Sequence, residues 1–309
     1  MSRLPTKLAW LGLLFLLASG CGGAPSAPKD TTSAGSARRS AGVVDDIRTL
    51  PELKSRLSSG ALRGVAGLDL RGRALGSELG ELLGSSADLD NLQTLRVSDN
   101  ALGPSGVAAL LASPHLANLR ELDLAGNDLG DAGAATVAGA RALAKLQVLQ
   151  LAGNSITAEG ARALASSAHL TSLEALDLTM NPLGPQGATE LAQGSALDRL
   201  QELYLLGCGI GEPGARALAE SSHLVNLQVL ALAGNGLGDE GVAALVASSH
   251  MDSLRRLDLS ANGVGDDGAQ ALAGAASLAR LERLELLGNP IGEAGVSALR
   301  KRFTSGLKL

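Results

Sequence analysis

Aromatic side chains are nearly absent: Trp10, Phe15, Tyr204 and Phe303 are the whole set. Tight interfaces usually centre on Trp, Tyr and Arg, so the sequence offers no ready cluster of anchors. Cysteine is as scarce, with only Cys21 and Cys208, which excludes a disulfide framework. Positive charge is in deficit: 26 Lys and Arg against 31 Asp and Glu, a formal net charge of −5. Nucleic-acid binding needs a basic footprint and docking on anionic lipid needs a polybasic patch, so neither is expected. Long apolar runs are missing too. The longest begins at Leu8 and ends at Leu17, and a helix of about ten residues rises only about 15 Å, half of a bilayer core of about 30 Å. The four histidines, His115, His169, His223 and His250, are spaced by multiples of one interval, and the two in adjacent repeats, His223 and His250, make a poor metal site as stacked imidazoles without a Cys or carboxylate beside them at that position.

What the chain has in abundance is one phrase. From Leu119 it reads L-R-E-L-D-L-A-G-N-D-L, and the grammar L-x-x-L-x-L-x-x-N-x-L returns from Leu92, Leu146, Leu173, Leu200, Leu227, Leu254 and Leu281 in strict phase, with a weaker copy from Val65. The ninth position is Asn100, Asn127, Asn154, Asn181, Cys208, Asn235, Asn262 or Asn289. Within a repeat the period changes. Leu122-Asp123-Leu124 alternates like a strand, leucines inward and Asp123 outward. Ala134, Val137 and Ala138 then follow helical spacing. The turn between them, Asn127-Asp128-Leu129-Gly130-Asp131-Ala132-Gly133, places an acid at a helix start, where it complements the dipole.

This phrase resembles the leucine-rich repeat family, and the strand-turn-helix grammar is similar to its ribonuclease-inhibitor-like subclass in a shorter, bacterial-type repeat. The resemblance covers Val65 to Leu309. It implies an α/β solenoid or horseshoe, with a parallel sheet on the concave face and helices on the convex face. That subclass also includes activators of Ran-type GTPases, but no motif here maps onto their charged residues. In the family the recurring Asn bonds backbone groups of neighbouring coils and Cys is its usual substitute, so Cys208 is read as a buried structural thiol.

The ends have their own signals. Thr49-Leu50-Pro51-Glu52 predicts a capped helix to about Leu57, with Ile47, Leu50, Leu53 and Leu57 on one face, covering the first leucines of the solenoid. Leu307 and Leu309 predict a short edge strand. Residues 1–20, with Arg3 and Lys7 before the apolar run, have signal-peptide anatomy. Ala18-Ser19-Gly20-Cys21 resembles the lipobox of bacterial lipoproteins, although Ala18 stands where that family prefers Leu. The resemblance implies lipidation at Cys21 and an envelope location, the outer membrane favoured over the inner because Gly22 is not Asp; plain secretion is the alternative. Residues 21–44, rich in Gly, Ala, Ser, Pro and Thr, read as a disordered tether, and 45–309 as the repeat domain.

Chemistry is hard to find. Gly209 to Gly214, Gly236 to Gly241 and Gly263 to Gly268 match G-x-G-x-x-G, yet their second and third glycines belong to the repeat, so no cofactor, catalytic residue or small-molecule substrate is expected. The open strand face is the one candidate surface: a small apolar patch of Val148, Tyr204, Leu206, Val229 and Ala231 near Asp123, Asp177 and Asp258. These residues predict a contact with a protein or peptide that brings basic groups. The expected function is a non-catalytic, lipid-anchored interaction module. A spacer lipoprotein and a regulator of a small GTPase or secreted enzyme are the alternatives.

Overall fold

The computed structural model describes residues 42–309; the leader and Cys21 lie outside the described residues. The described part is one coil repeated. The strands are β1 (Val43–Val44), β2 (Gly67–Asp69), β3 (Thr94–Arg96), β4 (Glu121–Asp123), β5 (Val148–Gln150) and β6 (Ala175–Asp177). They continue as β7 (Glu202–Tyr204), β8 (Val229–Ala231), β9 (Arg256–Asp258), β10 (Arg283–Glu285) and β11 (Leu307–Lys308). All pair in parallel in chain order as a single sheet. Helices alternate with them: α1 (Leu50–Ser58), α2 (Glu78–Gly84), α3 (Gly103–Leu111), α4 (Gly130–Gly139) and α5 (Ala158–Ala165). Then come α6 (Gly184–Ala192), α7 (Gly211–Ala219), α8 (Gly238–Ala247), α9 (Asp266–Gly274) and α10 (Glu293–Arg302).

The leucine pattern dictates this directly. Leu95, Leu122, Leu149, Leu176, Leu203, Leu230, Leu257 and Leu284 stand in register at the strand centres, and all are buried. Val107, Val137, Leu164, Leu191, Leu218 and Leu245 come down on them from the helices. Burying a Leu or Val side chain is worth about 1.5–3 kcal/mol, and each coil can do so only against its neighbours.

Both ends follow the expected design. Thr49 accepts from the Glu52 amide, Glu52 in turn accepts from the Arg48 amide, and Leu53 is buried. The sheet begins two residues before the boundary read from the sequence, because Val43 and Val44 pair with Gly67 and Leu68 as β1. Two residues are too few to show a strand period. At the other end, Leu307–Lys308 closes on β10.

Side chains stitch the coils together along three lines. The first is the Asn line. Asn127 donates to the carbonyls of Val97, Leu124 and Ala125, and its oxygen accepts from the amides of Asn100 and Leu102. The second is made by serines before the descending turns. The Ser167 hydroxyl donates to Ala138 of the preceding helix and accepts from the His169 and Leu170 amides; Ser221 and Ser248 make the same link to the preceding helix.

The third line enlarges the role expected of the helix-start acids. Asp131 accepts from the amides of Thr157 and Gly160 at 2.8 and 2.9 Å, so it caps α5 in the next coil. Asp239 caps α9 and Asp266 caps α10 in the same way. An anionic acceptor at a helix start meets both the unpaired amides and the positive end of the dipole.

Candidate interaction surface

The open face of the sheet carries the residues that alternate with the buried leucines. Its centre row runs Asp69, Arg96, Asp123, Gln150, Asp177, Tyr204, Ala231, Asp258, Glu285, the register expected. Asp177, Tyr204, Ala231 and Asp258 therefore sit on four adjacent strands, about 4.8 Å apart. Val229 flanks Tyr204 from the neighbouring strand, and Leu206 lies two residues past Tyr204. Val148 and Asp123 are two and three strands away from Tyr204, outside this group.

The acids of the row differ from expectation. Asp123 was expected to point into solvent, but it is only 5% exposed. Its carboxylate accepts from the Ala125 amide at 3.1 Å and from the Ser98 hydroxyl. Asp177 accepts from the Thr179 amide and Asp258 from the Ser260 amide, both at 2.9 Å. The cause is local: the chain turns out of the sheet after each strand, and an Asp side chain can bond the amide two residues on. Burial pushes the Asp123 and Asp177 carboxyls above the usual range, against the pull of those hydrogen bonds. Ala231 is also buried, at 8% exposure.

What remains open is apolar and lies toward the rim where the strands end. Leu206 is 37% exposed, and beside it Met180 is 48% exposed; the Met180 amide donates to the Leu206 carbonyl. Met180 escaped the sequence reading. Its position, just before the recurring Asn, is Gly126, Gly153, Gly207, Gly234 or Gly288 in five other coils and Asp99 or Ala261 in two, all of them left-handed. Met180 holds a φ of +58° there, which for an L residue costs about 1–2 kcal/mol. The departure from glycine was the available signal. Tyr204 is half-buried; its hydroxyl donates to Glu202 at 2.8 Å, and burial together with that carboxylate raises its pKa.

The same coil breaks the Asn line. Cys208 is a free, buried thiol, with its pKa pushed up to about 12 by burial. It donates to the Leu178 carbonyl at 3.2 Å. The Leu183 amide, which an Asn oxygen would have taken, turns to the Asn181 carbonyl instead. Ile291 does the same with Asn289 at the last Asn of the chain.

Other sequence signals dissolve into the repeat. In the stretch from Gly209 to Gly214, Gly209 holds a φ of +67° and a Cβ on Gly214 would meet Ala188 at 2.9 Å, so these glycines answer to the turn and to packing. His115 and His223 reach Asp90 and Asp198 of the preceding coil at 2.7 Å. Among the described residues no group of three or more His, Cys, Asp or Glu could hold a metal ion, and no helix is long and apolar enough to cross a membrane.

Comparison with known proteins agrees with this architecture. The leucine-rich repeat family model matches residues 90–111, 115–138, 142–165, 169–192, 223–246 and 250–273. It passes over 193–222, the segment with Tyr204, Leu206 and Cys208. No curated protein matches the chain. Among solved structures, the complex of Rad7 and Elc1 from yeast is similar at 14% identity over 81% of this chain and 76% of that one, with a TM-score of 0.42, too low to carry an argument. Six matched repeats and an unbroken parallel sheet alternating with helices make the described chain an α/β leucine-rich repeat solenoid.

Proposed function

We propose that this chain is a non-catalytic protein-interaction module whose partner docks on the rim formed by Met180, Tyr204 and Leu206. The observation that carries the reading is the exposed Met180, held in a left-handed conformation beside exposed Leu206. Exposed apolar side chains that a fold does not need mark interaction sites. Met adapts to varied partners and Tyr is a frequent anchor. Glu202 borders the rim, so the partner is a protein segment with an apolar side chain flanked by a cation. Val229 extends the apolar strip onto the next strand. The reading includes a lipid anchor at Cys21 that holds the module in the bacterial envelope, supported by the leader and the small residues before that cysteine.

Cross-linking capture from envelope extracts, with the full chain as bait, tests the docking site. The second bait carries Met180→Gly with Leu206→Ser, changes at exposed positions that leave the melting temperature within a few degrees of wild type. Loss of the captured protein with the second bait supports the rim. Equal capture by both baits rejects it, and no capture by either favours a spacer. Intact mass of the mature protein tests the anchor: a diacylglyceryl-modified Cys21 at the N-terminus is expected, and an unmodified Cys21 rejects it.

A further inference from the structure

The opposite edge of the sheet, where the loops rise into the strands, carries a cleft of about 360 Å³ lined by Arg199, Arg255 and Arg280. Its floor is made of Gln201, Gln228, Asn226 and Ser253, and no carboxylate lines it. That is unusual in a chain with more acids than bases. The cleft is framed by two rows of the repeat. One row runs Gln201, Gln228, Arg255, Glu282, and backbone bonds of 2.8 Å hold it in register as an extension of the ladder. The other runs Arg199, Asn226, Ser253, Arg280.

The second row shows why these arginines stand apart. Elsewhere it serves the solenoid. Asn118, Ser172 and Asn226 each donate to a carbonyl of the preceding coil, namely Asp90, Ala144 and Asp198. Arg199 and Arg280 make no such bond, and neither has an ion-pair partner among the described residues; both are exposed. Carboxylates of the surrounding loops are already engaged. Glu282 pairs with Arg255, Asp198 with His223, and Glu174 accepts from Gln147. Asp252 is exposed and does not line the cleft.

We infer that this cleft binds an oligosaccharide bearing at least two phosphate or sulfate groups. Arg199 and Arg280 are three coils apart, about 14 Å at the backbone, so the two guanidiniums fit separate oxyanions, with Arg255 between them. Guanidinium binds phosphate and sulfate through paired, charge-assisted bonds. The amides and the Ser253 hydroxyl offer both donors and acceptors to the hydroxyls of the sugar between the charges. No aromatic side chain lines the cleft, so a nucleobase has nothing to stack on. The site lies on other residues than the proposed protein-docking rim and stands independently of it.

Isothermal titration of the full chain tests this, with dextran sulfate oligosaccharide, uncharged dextran, inorganic phosphate, and phosphatidylcholine vesicles with and without phosphatidylglycerol as titrants. The wild type binds dextran sulfate in low salt, binds uncharged dextran undetectably, and loses affinity as salt screens the charges. Arg199→Gln with Arg280→Gln weakens dextran sulfate by about tenfold or more with an unchanged melting temperature. Arg120→Gln, an exposed arginine of the same Gln-and-Arg row three coils before Gln201, changes it less than about twofold. Equal binding by the double variant and wild type overturns the site, as does an equal loss with Arg120→Gln. Binding to the anionic vesicles or to phosphate alone, without dextran sulfate, overturns the saccharide class.

Discussion

The β2–β4 coils and the β6–β8 coils share one backbone but use their open face differently. In the first region the charges answer one another: Arg71 pairs with Asp69 at 2.7 Å, and Arg96 reaches Glu121 at 2.8 Å. In the second region the row changes to Tyr204 and Ala231, Met180 takes a place that is usually glycine, Leu206 is exposed, and Cys208 interrupts the Asn line. A face that satisfies itself has little left to offer a partner. The face that departs from the repeat in four ways, across three adjacent coils, is the one on which the proposed docking rim lies.

Four measurements break or sharpen that contrast. The largest effect comes from the part that both regions share. Leu176→Asp places an unpaired carboxylate between Leu149 and Leu203, and it should cost about 4 kcal/mol or more in urea unfolding. A cost under about 1 kcal/mol would mean that the strand register is wrong.

Next, the Asn line separates the regions. Asn127→Ala strips two buried amides of their acceptor and takes one of two donors from each of three carbonyls, and should cost about 2–4 kcal/mol. Cys208→Ala removes one close contact, to Leu178, and should cost about 1 kcal/mol. Equal losses would show that the interruption at Cys208 is only formal.

The converse change is Cys208→Asn. It supplies an acceptor for the amides of Asn181 and Leu183, and a gain of about 1 kcal/mol in unfolding free energy is expected. Destabilisation would show that this coil has repacked around the smaller thiol.

The smallest effect is a pH dependence at Asp177. Burial raises its carboxyl in the folded state above the ordinary value of 3.8. Its contribution is therefore fully present below that value and is lost as pH rises through the raised one. Asp177→Asn keeps an oxygen for the Thr179 amide without the charge. It should raise the melting temperature slightly at pH 7, and the advantage should vanish below about pH 3.8. An advantage that persists in acid would assign the effect to packing.

Much of this was legible beforehand because a repeat averages over its own noise. One coil would have left the strand register ambiguous; eight in phase place every strand-centre leucine inward. The capping helix from Leu50 and the closing strand at Leu307 were legible from caps and alternation. The same regularity misled where a polar residue recurs for a local reason. Asp123 and Asp177 looked like a charged docking face, yet each bonds the amide two residues ahead at the turn out of its strand. Acids such as Asp131 looked like partners of their own helix and cap the next one, a link that crosses 26 to 29 residues of chain.

The amino-acid sequence alone determined the repeat, the strand register and the burial of the leucines, since all of these follow from spacing and side-chain type. Only the tertiary structure decided which polar residues are left over once the coils have bonded one another. That is a question of proximity between residues about a repeat apart, and it separates Asn226, tied to the Asp198 carbonyl, from Arg199 and Arg280 in the same row, whose charges face a cleft.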